Sequence, residues 1–393
     1  MSAGISLPRR LHVGAGASGQ LLATLAEFGL HRPMIITDSF MVSCGYLEQI
    51  VAPLEAAGIP VGLFSDCVPD PTTDSIAAGL AQLAEYQPDV VVGLGGGSSI
   101  DTAKAMAVMA ERSGSLRDYK APLKLDTGLP IIAIPTTAGT GSEATGVAVV
   151  TDTDTDEKML CLGMGLMPLA ALVDYELTLS MPLRLTADTG LDTLCHALEA
   201  FVSQKANPFT DALACDVIAA VPKWLPIACA EPGNAEAREA MMMAALKGGM
   251  AFSNASVTLI HGMSRPIGAH FHVPHGLSNA MLLPVVTAWS LSGAPARYAQ
   301  ASRMMGFASD SDGEDLALEL LVVGLTQLCR DLSVPTPEAF GISEADWFGI
   351  ADTMAAQALA SGSPANNPRV PDHPQIMALY AQVWRGEVVA PAH

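Results

Sequence analysis

Asp192 and His196 stand four residues apart in Thr189-Gly-Leu-Asp192-Thr-Leu-Cys-His196-Ala-Leu-Glu199, a stretch of helical composition. Residues at that spacing share a helix face, so a carboxylate and an imidazole point the same way. Of the nine histidines in the chain, four fall between His261 and His275, in Leu259-Ile-His261-Gly-Met-Ser-Arg265-Pro-Ile-Gly-Ala-His270-Phe-His272-Val-Pro-His275-Gly276. Asp192, His196, His261 and His275 together would offer one carboxylate and three imidazoles. That donor set suits a borderline divalent ion such as Fe²⁺ or Zn²⁺, and an open coordination position would make the ion a Lewis acid. His270 and His272 compete with His275, and spacing alone does not choose among them. A single histidine on an apolar helix is ordinarily a hydrogen-bonded core residue, so only the joint pattern points to a metal.

A second chemistry is written in glycine. The apolar run Asp89-Val-Val-Val-Gly-Leu94 leads straight into Gly95-Gly96-Gly97-Ser98-Ser99-Ile-Asp101 and then a helical stretch. Without Cβ atoms the backbone can approach a pyrophosphate closely, and a helix N-terminus aims free N–H groups at it. A tight-packing turn is the plainer reading of the same glycines. Another hydroxyl-rich loop, Pro135-Thr136-Thr137-Ala-Gly-Thr140-Gly-Ser-Glu143, follows the next apolar run; as a bare helix start it would form a capping box between Thr140 and Glu143. Two such loops at the carboxyl ends of parallel strands make a dinucleotide crevice. Gly14-Ala-Gly16-Ala-Ser-Gly19 also matches G-x-G-x-x-G, with Asp38 at the spacing of a ribose-binding acid, but its Leu11-His-Val13 lead-in is a poor buried strand, which favours a plain turn.

The elements that must hold these groups alternate. Strands are expected at 33–38, 59–64, 89–94, 130–134 and 170–174, with helices at 45–57, 73–85 and 99–112 between them, the rhythm of a parallel sheet covered on both faces. Past Pro182 the β-branched runs give way to long Ala/Leu/Met helices. Two domains are therefore expected, 1–180 and 181–393, the first α/β and the second all-helical. Forty acidic against twenty basic side chains give a net charge of −20, which disfavours nucleic acid and anionic membrane surfaces. Seven scattered cysteines with no C-x-x-C spacing, no apolar leader and no uncharged stretch of membrane-spanning length fit a cytoplasmic protein.

These motifs, in this order, resemble the iron-containing (group III) alcohol dehydrogenase family over nearly the whole chain. They are Thr37-Asp38, Gly95-Gly-Gly-Ser98 with Asp101-Thr-Ala-Lys104, Pro135 to Glu143, Gly190-x-Asp192-x-x-x-His196-Ala-x-Glu199, His261-Gly-Met, Pro274-His275-Gly276 and Asn367-Pro-Arg369. The resemblance implies a dehydroquinate synthase-like pairing of an α/β dinucleotide-binding domain and an all-α domain, with cofactor and metal in the cleft between them. It assigns the metal, Fe²⁺ ahead of Zn²⁺, to Asp192, His196, His261 and His275. It assigns pyrophosphate contacts to Gly96, Gly97 and Ser98, and further nucleotide contacts to Thr136, Thr137, Thr140, Thr145 and Lys158; Gly95 and Asp70 are cofactor-binding candidates beside them. Asp38 on the ribose favours NAD over NADP. A homodimer or larger homo-oligomer is also implied.

Three positions depart from the family pattern. Asp70 stands where Asn is frequent, an Asn is missing near Gly146, and Arg265 replaces a His credited with proton relay. A guanidinium keeps its charge and is no ordinary acid or base. The reaction expected is hydride transfer between NAD(H) and a small alcohol and its aldehyde or ketone, with the proton leaving through His272 or a water chain and Phe252 a candidate pocket wall. Arg265 would clamp an acidic aldehyde or keto acid, or form a salt bridge outside the pocket. A non-redox lyase or synthase on the same scaffold and a catalytically silent NAD-binding protein are the other readings.

Overall fold

The computed structural model describes residues 2–155 and 157–388. Its backbone divides into two compact units, Gly4–Met181 and a second that starts at Pro182.

The first unit is built on six strands: β1 (Arg10–Val13), β2 (Pro33–Ile36), β3 (Gly62–Phe64), β4 (Val90–Gly95), β5 (Ile131–Pro135) and β8 (Ala170–Val173). They form one parallel sheet in the order β1-β8-β5-β4-β2-β3. The helices α1 (Leu21–Phe28), α2 (Ser39–Ser43), α3 (Tyr46–Ala56), α4 (Thr73–Tyr86) and α5 (Gly97–Met109) connect them. Strand side chains alternate between faces, and β4 shows the result. Val90, Val92 and Leu94 join Ile35, Ile132 and Leu172 under α1 and α3. Val91 joins Met34, Ile36 and Ile131 on the face covered by α4 and α5.

Strand β2 pairs with β3 on one side and β4 on the other, so the winding reverses between β2 and β4. A ligand crevice is expected outside the carboxyl ends of strands at such a reversal. The residues that leave those two ends are Asp38 and Gly96. A separate antiparallel hairpin, β6 (Val147–Asp152) and β7 (Glu157–Leu162), pairs from Val147 opposite Leu162 to Asp152 opposite Glu157. Neither this hairpin nor α1 is among the elements expected from sequence.

The second unit is helical among the described residues: α6 (Leu183–Val202), α7 (Pro208–Ala230), α8 (Ala235–Ala255), α9 (Leu259–Phe271), α10 (His275–Ser290), α11 (Pro295–Met304), α12 (Glu314–Asp331), α13 (Pro337–Phe340), α14 (Glu344–Gly349), α15 (Ala351–Ala360) and α16 (His373–Arg385). Helix α6 is the centre, with α7, α8, α9 and α10 packed around it. Every residue from Thr186 to Val202 is buried, so its polar side chains must be satisfied inside the protein. Helix α7 is long and apolar enough, at mean hydropathy 1.5, to cross a bilayer. It is not the uncharged span that sequence reading excludes, because Asp211 and Asp216 pair with Arg297 and Lys247 on neighbouring helices.

Gly276 shows how closely these helices meet. A Cβ there would lie 2.5 Å from the Asp188 carbonyl oxygen, so the start of α10 rests on the backbone of α6. Gly276→Ala is expected to destabilise the protein by about 1–3 kcal/mol through overpacking, read as a lowered melting temperature. It should also weaken metal retention, because His275 is the adjacent residue; unchanged melting would show that α10 can shift freely.

Candidate functional site

In the second unit, Asp192, His196, His261 and His275 converge, and one ligand atom from each lies within 4.8 Å of every other. The Nε2 atoms of His196, His261 and His275 stand 3.7, 3.4 and 3.8 Å from Asp192 Oδ1. Around a tetrahedral ion with ligands roughly 2.0–2.2 Å away, donor atoms are about 3.3–3.6 Å apart. The four side chains therefore fit a divalent cation. His275 reaches this cluster and its two rivals do not: His270 Nε2 meets Gln357 Oε1 at 2.9 Å, and His272 is exposed at the left-handed C-cap of α9 with φ 54°.

Burial alone would push the Asp192 carboxyl up, but the imidazoles of His196, His275 and His261 outweigh it and hold it far below the usual carboxylate range. For His261 burial opposes protonation, yet Glu199 and Asp192 prevail and raise it to about 9. Two supporting groups carry no role in the sequence reading. Glu199 Oε2 faces His261 Nδ1, and Asn279 Nδ2 donates to Asp192 Oδ1 at 2.6 Å and lies 3.1 and 3.2 Å from Nε2 of His261 and His275. Asn279 follows His275 by four residues in α10, a spacing that places it on the same face. Phe252 of α8 stacks on His196 at 4.3 Å between ring centroids, giving the cluster an apolar wall.

The first unit gathers the cofactor candidates. Gly95 has φ 142°, and a Cβ on it would lie 2.5 Å from Ser99 Oγ and 3.4 Å from Asp38 Oδ2. A Cβ on Gly97 would lie 2.7 Å from Thr140 Cγ2, and one on Gly96 3.2 Å from Thr137 Cγ2. The two loops thus form one cradle that any side chain on the glycines would fill. Thr137 Oγ1 is buried there without a hydrogen-bond partner, a donor that a bound phosphate or ribose could use. Asp70, in the left-handed region at φ 51°, takes Ser98 Oγ on its N–H at 3.2 Å and ion-pairs with Lys158 at 3.1 Å. Ser98, Asp70 and Lys158 are therefore neighbours. Asp38 Oδ1 caps α2 through the N–H groups of Phe40 and Met41, and Ser99 Oγ donates to Oδ2 at 3.3 Å.

Behind the cradle the second loop is tied down. Ser142 Oγ and the Val149 N–H donate to Asp101, and Lys104 Nζ donates to Thr145 O, Thr145 Oγ1 and Val147 O. The Thr145 hydroxyl is thus engaged by protein groups, while Thr136 is buried with its N–H on the Gly95 carbonyl. Burial lowers Lys104 to about 8 and raises Glu143 to about 7. The expected Thr140–Glu143 box is absent; Thr140 Oγ1 accepts from the Ser142 N–H instead. The Gly14-to-Gly19 loop is a turn whose Gly16 and Ser18 N–H groups are taken up by Asp174.

Arg265 lies one helical turn beyond His261 on α9, and its Nη1 is buried without a hydrogen-bond partner. It forms none of the salt bridges found among the described residues, so the expected external salt bridge is not seen. Burial lowers its guanidinium to about 10, opposed by Glu199.

An α/β unit with a glycine cradle and a helical unit with a carboxylate and three imidazoles, in one chain, define a class of metal- and dinucleotide-linked enzymes. The model of the iron-containing alcohol dehydrogenase family matches residues 8–175, and that of the family's C-terminal region matches 186–384. The NAD-dependent methanol dehydrogenase of Bacillus methanolicus is 34% identical over 366 residues, 93% of this chain and 95% of its own. The crystal structure of a 1,3-propanediol oxidoreductase superposes with a TM-score of 0.93 at 32% identity, covering 98% of this chain and all of its own. The sulfoacetaldehyde reductase of Bifidobacterium kashiwanohense, solved with NAD⁺, gives 0.86 at 29% identity over 98% of this chain and 99% of its own. The chain belongs to the iron-containing alcohol dehydrogenase family.

A cation that takes the His261 Nε2 lone pair must displace the proton held there below about pH 9. Apparent Zn²⁺ affinity, measured by chelator competition, is therefore expected to rise about tenfold per pH unit from about pH 7 to 9 and then flatten. A flat profile would contradict proton displacement at His261.

Proposed function

We propose that this oxidoreductase transfers a hydride between NAD(H) and a small alcohol and its aldehyde or ketone, with one divalent ion, Fe²⁺ ahead of Zn²⁺, held by Asp192, His196, His261 and His275. The observation that carries the reading is the spacing of those four donors, which fits such an ion. Bound NAD supplies the hydride acceptor, and the bound ion supplies the Lewis acidity that makes an alcohol oxygen easier to deprotonate.

The chain's own residues then have separable tasks. Gly95, Gly96, Gly97 and Ser98 bring backbone N–H groups to the pyrophosphate, with Asp70, Lys158, Thr136, Thr137, Thr140 and Thr145 shaping the surrounding loops. Asp38 at the end of β2 would repel a 2′-phosphate, which supports NAD over NADP. The exposure of His272 at the end of α9 supports a role in exchanging a proton with solvent. Arg265 cannot take that proton and contributes fixed positive charge.

Relatives that act on methanol and 1,3-propanediol support a small alcohol over a lyase or synthase reaction. The sulfoacetaldehyde reductase takes an acidic aldehyde, but the alcohol relatives share more sequence with this chain, and the proposal follows them. A division of labour between residues 1–180 for the dinucleotide and 181–393 for the metal belongs to the same proposal. So does a homo-oligomer, on the family resemblance. The free state of all seven cysteines supports a reducing compartment such as the cytoplasm.

NADH absorbance should rise with small alcohols, at a rate that falls at least about 100-fold after chelation and returns with Fe²⁺ or Zn²⁺. Unchanged oxidation by metal-stripped protein would overturn the metal assignment, and product formed without net NADH would favour a lyase. In the same assay His272→Asn, which tolerates the left-handed backbone, is expected to slow turnover about 100-fold. A rate equal to wild type would remove His272 from the proton route.

A further inference from the structure

Glu199 belongs to the Gly190-to-Glu199 motif, yet neither metal nor cofactor binding absorbs it. It is 2% exposed, on the third face-sharing position of α6 after Asp192 and His196, and four donors from the start of α9 converge on it. Thr258 Oγ1 donates to Oε1 at 2.8 Å, the Ile260 N–H at 2.8 Å and the His261 N–H at 3.4 Å. The His261 Nδ1–H faces Oε2. Helix α9 has no side-chain cap from its own N-cap residue Thr258, so a carboxylate from α6 does that work from outside.

We propose that Glu199 is a positioning residue for the metal: by holding a proton of His261 on Nδ1 while capping α9, it keeps Nε2, beside Asp192, as the nitrogen offered to the ion and sets the affinity for it. The inference rests on the reading that Asp192, His196, His261 and His275 bind the ion. Its force comes from counting donors. Four N–H or O–H groups point at Glu199, and only a carboxylate offers acceptors at both ends. An amide of the same shape presents one oxygen and one NH₂. If the oxygen keeps the backbone and Thr258 donors, the NH₂ faces His261 and drives its proton onto Nε2, where the metal must bind. If the oxygen keeps His261, the NH₂ opposes the backbone N–H groups and the start of α9 is uncapped. A carboxylate on the far nitrogen of a ligating histidine also raises its basicity, and losing such a partner typically costs about 10–100-fold in metal affinity.

The test compares wild type, Glu199→Gln and Thr258→Val, each stripped and titrated with Co²⁺, with chelator competition for affinity and visible absorption for the ligand field. Glu199→Gln is expected to bind Co²⁺ about 10–100-fold more weakly and to shift the d–d bands. Thr258→Val, which keeps the carboxylate and removes one donor that orients it, should show a smaller loss in the same direction, and it carries the test if Glu199→Gln does not fold. Affinities within twofold of wild type together with unchanged spectra, in whichever of the two variants folds, would overturn the inference. An Asp192→Asn variant that binds Co²⁺ as tightly as wild type would instead overturn the metal reading on which it rests.

Discussion

A carboxylate without water around it needs charge or donors in return, and Asp192 sits in the stretch of α6, from Thr186 to Val202, in which every residue is buried. Three imidazoles and the Asn279 amide surround it, drawn from α6, α9 and α10. Much of the helical unit follows from that need. The glycine at 276 lets α10 touch the backbone of α6, Phe252 closes the side of His196, and Glu199 fixes both the start of α9 and the ring of His261. Buried polar groups are costly when unpaired and rigid when fully paired, so the cluster is preorganised for a cation by the packing that also holds the bundle together.

The α/β unit solves a different problem with the opposite means. Where the helical unit fills space with polar side chains, the end of β4 keeps space clear by omitting them. A side chain at Gly95 or Gly97 would collide with Ser99 or Thr140, and one at Gly96 would crowd Thr137, so glycine leaves the backbone free to meet an anion. Asp101 and Lys104 lie behind this surface and tie the threonine loop to α5, so the cradle is held from the protein side.

Much of this was legible in sequence wherever the signal was local. Asp192 and His196 at one helical spacing, the Val/Leu run into three glycines and the β-branched rhythm before residue 180 each declare an element and the side of it that matters. The choice of His275 over His270 and His272 was not local: it depends on α10 starting at His275 and on α9 ending in a left-handed residue at His272. Asn279 was missed because an amide on an apolar helix has no distinctive spacing until a ligand on the same face is known. The β6–β7 hairpin escaped because it stands outside the strand–helix alternation that marks the parallel sheet, and its pairing of 147–152 with 157–162 is seen only in the fold. The resemblance implies a nucleotide contact for Thr145; that its hydroxyl also accepts from Lys104, forty-one residues away, has no signal in the spacing.

The most direct measurement is an anomalous difference map from crystals of the purified protein, collected on either side of the iron and zinc absorption edges. A single peak should appear within about 2.0–2.3 Å of Asp192 and of Nε2 in His196, His261 and His275. Crystals of active enzyme with no peak among those four side chains, or with a metal bound elsewhere, would contradict the assignment at its root.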